Sequence, residues 1–147
     1  MIEWHCPIYW GVPKWAIHTD DDVTKQFVQT HSYMTIYQNI DGQDRLVSLG
    51  DTAFQNYNPD GGFSLEIPYV MYIGRYAFQN CKKLETIDFS GKTDDEIPEL
   101  ADPKAFMLYD GQTFVNETFQ IKVPRRLYDK WVASTNWSVV SSHIIGV

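Results

Sequence analysis

The sequence predicts a mainly β protein with short helical segments: a short solenoid of stacked coils, closed by a non-repeat N-terminal cap and a C-terminal capping helix. Three observations predict it. Gly50, Ala53, Phe54 and Asn56 recur as Gly74, Ala77, Phe78 and Asn80, each 24 residues further on, and a fixed period of that length marks repeat architecture. Apolar and polar residues alternate after each repeat start, with Leu65 and Ile67 around Glu66, then Leu84, Ile87 and Phe89 among Glu85 and Asp88, as half-buried strands require. Finally, Pro124 fits the first position of a helix, and Leu127, Tyr128 and Trp131 follow it at spacings that share a helix face.

The elements follow in order. Residues 1–45 match nothing in the repeat and hold Trp4, Tyr9, Trp10, Trp15, Tyr33 and Tyr37, with prolines at 7 and 13; they read as an aromatic-rich N-terminal region of strand and loop. Tyr33-Met34-Thr35-Ile36-Tyr37 has strand-forming residues, and Asp20-Asp21-Asp22 before Val23 could cap a short helix. Residues 46–147 read as the repeat array with its C-terminal cap, in one compact unit with the first region. Strands are expected near 46–49, 64–67, 70–73, 84–89 and 119–123. Asp41-Gly42, Asp60-Gly61-Gly62, Ser90-Gly91 and Asp110-Gly111 are the turn signals between them.

Within the repeat, a glycine allows close backbone approach, and a small residue and an aromatic then stack on the next coil. Gly50/Gly74, Ala53/Ala77 and Phe54/Phe78 supply these. The segment Tyr72-Ile73-Gly74-Arg75-Tyr76-Ala77-Phe78-Gln79-Asn80-Cys81-Lys82-Lys83-Leu84-Glu85-Thr86-Ile87-Asp88-Phe89 resembles the repeat of BspA-type leucine-rich repeat proteins. Units of that family run Ile-Gly, two variable residues, Ala-Phe, a Cys-containing turn, then Leu and Ile before a short strand. Glu96 to Phe106 and Phe119 to Ile144 resemble the way such arrays finish, with a strand ending in Val-Pro, a short helix and an Asn-Trp-Ser turn that brings in Trp137. The resemblance covers about residues 46–145. It implies a leucine-rich-repeat scaffold, with Cys81 a small buried apolar residue at the turn. It also implies a place among host-associated bacterial surface proteins or phage structural proteins. The departures are that the first unit carries Tyr57-Asn58-Pro59-Asp60-Gly61-Gly62 instead of the Cys turn, and that Ala77 to Ala105 spans 28 residues.

Composition narrows the function classes. The chain has 147 residues, 44% hydrophobic and 15% aromatic, enough for one folded domain. A net charge of −7 disfavours a polyphosphate partner. No apolar run is long enough to span a membrane. Met1 to Pro7 shows neither the basic start nor the apolar core of a secretory leader.

Candidate sites are few. His5, Cys6, His18 and His31 include zinc-ligating types, but their spacing follows no zinc pattern. Cys6 and Cys81 are the only cysteines and form no disulfide framework. Asn56 to Gly61 imitates the start of a calcium loop, yet Ile67 stands where the bidentate Glu is needed, so an EF-hand is rejected. Asp20-Asp21-Asp22 and Asp94-Asp95-Glu96 read as solvated loop charge. Asn116-Glu117-Thr118 and Asn136-Trp137-Ser138 fit a glycosylation sequon too short to carry weight alone. No nucleophile elbow, metal-binding helix motif or phosphate loop is present.

The expectation is therefore a non-enzymatic binding or structural protein without a cofactor or metal. Gly50, Ala53, Phe54, Gly74, Ala77, Phe78, Cys81, Leu84 and Ile87 form its scaffold, and Pro124, Leu127, Tyr128, Trp131 and Trp137 its C-terminal cap. Trp4, Tyr9, Trp10 and Trp15 either seal the N-terminal cap or face a partner. The first setting is a bacteriophage virion, assembled in the host cytoplasm, with virion proteins or a cell-surface receptor as partners and a homo-oligomer possible. The alternatives are a bacterial leucine-rich-repeat module binding a protein or glycan, in the cytoplasm or at the surface, and a metal-dependent or glycan-cleaving enzyme using the N-terminal His and Cys residues.

Overall fold

In the computed structural model, residues 2–3 and 35–147 are described. Strands β1 (Ile2–Glu3), β2 (Ile36–Ile40), β3 (Gln43–Leu49), β5 (Tyr72–Ile73) and β7 (Glu99–Leu100) form one five-stranded sheet in the order β1-β2-β3-β5-β7. The first three pair antiparallel, and β3, β5 and β7 pair parallel. Strands β4 (Phe63–Glu66), β6 (Leu84–Asp88), β8 (Gln120–Val123) and β9 (Ile144–Gly146) form a second sheet, parallel throughout, in the order β4-β6-β8-β9.

Between Gln43 and Leu100 the chain moves from one sheet to the other and back. Asp41 and Gly42, with φ of 55° and 80°, turn β2 into β3 between the paired Ile40 and Gln43, the two-residue geometry an Asp-Gly pair favours. Pro103–Phe106, Arg125–Leu127 and Trp137–His143 are 3-10 helices, and α1 spans Tyr128–Val132.

The expectation of a mainly β leucine-rich-repeat solenoid is corrected by this arrangement. The strands divide between a mixed sheet and a parallel sheet joined by short helices, an α/β fold with no solenoid. The physical reason is that a 24-residue spacing fixes which residues stack but not how strands are shared between sheets. The antiparallel pair β1-β2 adds to the first sheet from segments that have no repeat counterpart. Two strands, β7 and β9, also lie where the sequence signalled none. At the C-terminal cap the helix after Pro124 is shorter than its apolar spacing suggests, a 3-10 turn running into a five-residue α1.

What the spacing does impose is stacking. Phe54 lies 5.5 Å from Phe78 at 7°, Phe78 lies 5.5 Å from Phe106 at 9°, and Phe106 lies 5.6 Å from Phe119 at 15°. His143 ends the file, its ring 3.9 Å from Phe119 at 8°. Backbone bonds hold the adjoining turns together: Thr52, Phe54 and Asn56 donate N–H to the carbonyls of Arg75, Ala77 and Gln79, and Phe78 and Asn80 to those of Ala105 and Met107. Gly74 sits where a Cβ would come within 2.5 Å of the Asp51 nitrogen, so this turn can close on its neighbour only with a glycine there. Both sheets contribute to a single hydrophobic cluster.

Candidate interaction face

The four-stranded sheet turns one face into the core, and among the described residues no element covers the other. Leu65, Ile87, Ile121 and Ile144 are buried cross-strand neighbours. The residues on either side point outward, because successive side chains alternate across a strand. They form two rows. Ser64, Thr86 and Gln120 are one set of register partners; Glu66, Asp88, Lys122 and Ile145 are the other.

Adjacent strands lie about 4.8 Å apart, so hydroxyl, amide, carboxylate and ammonium groups are displayed at a regular interval. A register shift between Phe63 and Ser64 places Glu85, which is exposed, as an extra side chain at the rim. A hollow of about 280 Å³ lies on this face, lined by Ser64, Leu65, Thr86, Asp88 and Lys122. Asp88 is fixed by accepting the Ser90 N–H at 2.7 Å.

The polar groups elsewhere are mostly committed to structure. Asn116 donates to the carbonyls of Lys82 and Leu84 and accepts from the N–H groups of Thr118 and Phe119. Asn136, at φ 67°, donates to the Leu100 carbonyl at 2.7 Å. Both sequon asparagines thus spend the amide nitrogen that glycosylation would need. Asp110 is held below the ordinary carboxylate range by hydrogen bonds from Thr113 and Gln112. Tyr72 is pushed up, first by burial and then by the charges of Asp51 and Glu99.

Of the residues singled out from sequence, Trp4, Tyr9, Trp10 and Trp15 lie outside the described residues, as do His5, Cys6, His18, His31 and Asp20–Asp22. Gly50, Ala53, Phe54, Gly74, Ala77, Phe78, Cys81, Leu84 and Ile87 are buried. Cys81 donates its S–H to the Phe54 carbonyl, and burial pushes its thiol up to about 12. Pro124, Leu127, Trp131 and Trp137 are buried and Tyr128 is half-buried; Trp137 donates its indole N–H to the Pro98 carbonyl at 2.7 Å.

The outward rows themselves were not foreseen. The alternation around Glu66 and Asp88 was visible, but which strands adjoin was not. A second missed feature is the left-handed backbone at Thr52, Asn56, Tyr76 and Asn80, which repeats at the same 24-residue interval. There Asn80 donates to the Asn56 side chain at 2.8 Å and Gln55 to that of Gln79 at 2.5 Å.

Among the described residues no three His, Cys, Asp or Glu side chains gather as a metal would need, and no helix is long and apolar enough to cross a membrane. No family model, curated protein or solved structure matches the chain.

Proposed function

We propose that the protein is a non-catalytic binding or structural protein that meets a partner protein with the open face of its four-stranded sheet. The observation that carries this reading is the double row of unlike polar side chains held in register over a continuous apolar layer. A rigid frame lowers the entropy lost on association, and mixed charge and hydroxyl groups favour specificity over bulk adhesion.

The setting we propose is a bacteriophage virion, which rests on the resemblance of Ile73–Phe89 to repeats found in phage structural proteins. In that setting Trp4, Tyr9, Trp10 and Trp15 would contribute a second, aromatic contact at the N-terminal end. Mass spectrometry of particles purified from the source tests the setting: the chain should be present in them, and its absence removes the virion reading. The double variant Thr86→Arg/Gln120→Arg tests the face. It should keep the wild-type melting temperature and lose incorporation or partner capture at least tenfold; unchanged capture would assign the contact to another surface.

A further inference from the structure

We infer that a cleft beside β7 is a binding site for the primary carboxamide of an Asn or Gln side chain on a partner protein. It lies at the last strand of the five-stranded sheet, so it is a second site that does not depend on the face carrying Thr86 and Gln120. The cleft has a volume of about 410 Å³, within the usual range for sites that enclose small ligands. Residues 97–101 form one wall and residues 134–137 the other.

The β7 wall has a defined polarity. Glu99 and Ala101 turn their N–H groups to the carbonyls of Met71 and Ile73. Alternate residues of a parallel strand face opposite neighbours, so Pro98 and Leu100 turn their backbone groups to the cleft. Both of their carbonyls are taken: Trp137 donates its indole N–H to Pro98 and Asn136 its amide N–H to Leu100, each at 2.7 Å. Strand addition along this edge, which needs those carbonyls, is closed. Pro98 has no N–H, which leaves the N–H of Leu100. It belongs to a buried residue and has no hydrogen-bond partner among the described residues, a condition native backbones rarely tolerate.

The facing wall supplies an acceptor. Asn136 commits its Nδ2 to Leu100 and keeps its Oδ1 for another donor, so a free donor and a free acceptor stand side by side. A primary amide carries an oxygen and an N–H along one edge and answers both. A trans peptide unit holds its C=O and N–H on opposite sides and answers only one. A carboxylate has no hydrogen to donate, and it would meet Glu99, the charged residue of the lining, with like charge. Ile97 and Pro98 give the methylenes of the incoming side chain an apolar surface.

NMR titration of the full chain with three capped amino acids tests this: N-acetylglutamine N-methylamide and its glutamate and alanine counterparts. The glutamine probe should move the Leu100 amide and Trp137 indole resonances to a plateau, while the other two leave them in place. Asn136→Gly removes the acceptor at a position whose φ of 67° suits glycine; it should stay folded and bind the glutamine probe roughly tenfold more weakly, the worth of one net hydrogen bond. The wild-type comparison decides the matter even if that variant is unstable. No plateau with the glutamine probe, an equal response to the alanine or glutamate probe, or undiminished binding by folded Asn136→Gly would each overturn the proposal.

Discussion

Cys81 shows how far a single position can be read. Its place at a repeat turn marked it as a small buried residue, and the structure puts its sulfur against the Phe54 carbonyl with no exposed surface. Because the thiolate is the reactive form, a thiol held near 12 is inert at neutral pH. In a Cys6→Ser background, labelling of Cys81 by a thiol reagent should proceed only at the rate of global unfolding; rapid labelling of native protein would contradict this. Asn116 carries the opposite lesson. Its sequon is too short to carry weight and its structural role has no sequence signal, yet its amide bonds four backbone groups across two turns. Asn116→Ala should cost about 1–3 kcal/mol, since the partners lose their bonds, measured by urea unfolding.

At the scale of elements, the aromatic file and the 91–98 connection set the stability pattern. Phe78 lies mid-file between Phe54 and Phe106, so Phe78→Ala should cost about 3–5 kcal/mol, the usual range for a buried aromatic. The connection is the extra length that breaks the 24-residue spacing, and it is strapped to the cap. Lys92 is buried and pairs with Asp94 at 3.0 Å. Arg126 bonds Asp95 and the carbonyls of Lys92 and Asp94, and Lys130 bonds the Asp95 carbonyl.

Burial raises the Asp94 carboxyl, but the Glu96 N–H and the Lys92 ammonium lower it more, leaving it below its ordinary value. A depressed carboxylate stabilises the fold above about pH 3.9, the unfolded value, and that contribution is lost as pH falls through the lower folded value. Lys92→Met should therefore flatten the fall of stability as pH drops below about 3.9; an unchanged slope would show the pair to be inert.

These elements also show what the sequence made legible. Strands β4, β6 and β8 lay close to where alternation placed them, and the Asp41-Gly42 turn was readable because its residue types accept positive φ. Strands β7 and β9 were not, because two or three residues carry no periodicity. The short cap helix was over-read, since apolar spacing cannot distinguish a 3-10 turn from an α-helical one.

At the scale of the whole molecule, the repeat signal was real as spacing and misleading as architecture. Offsets along the chain report which residues stack, but the division into two sheets depends on long-range pairing that no local pattern encodes. The open face was hidden for the same reason: Ser64, Thr86 and Gln120 become neighbours only when β4, β6 and β8 align. The functional claim therefore rests on an assembled surface rather than on any motif.

Its most direct test is site-specific photo-crosslinking in assembling particles, with a benzophenone amino acid at Thr86 and, as control, at the exposed Thr93. The account predicts an adduct between this chain and a distinct structural protein from position 86 and none from position 93. Adducts equally frequent at both positions, or none at position 86 while the protein is incorporated, would contradict it.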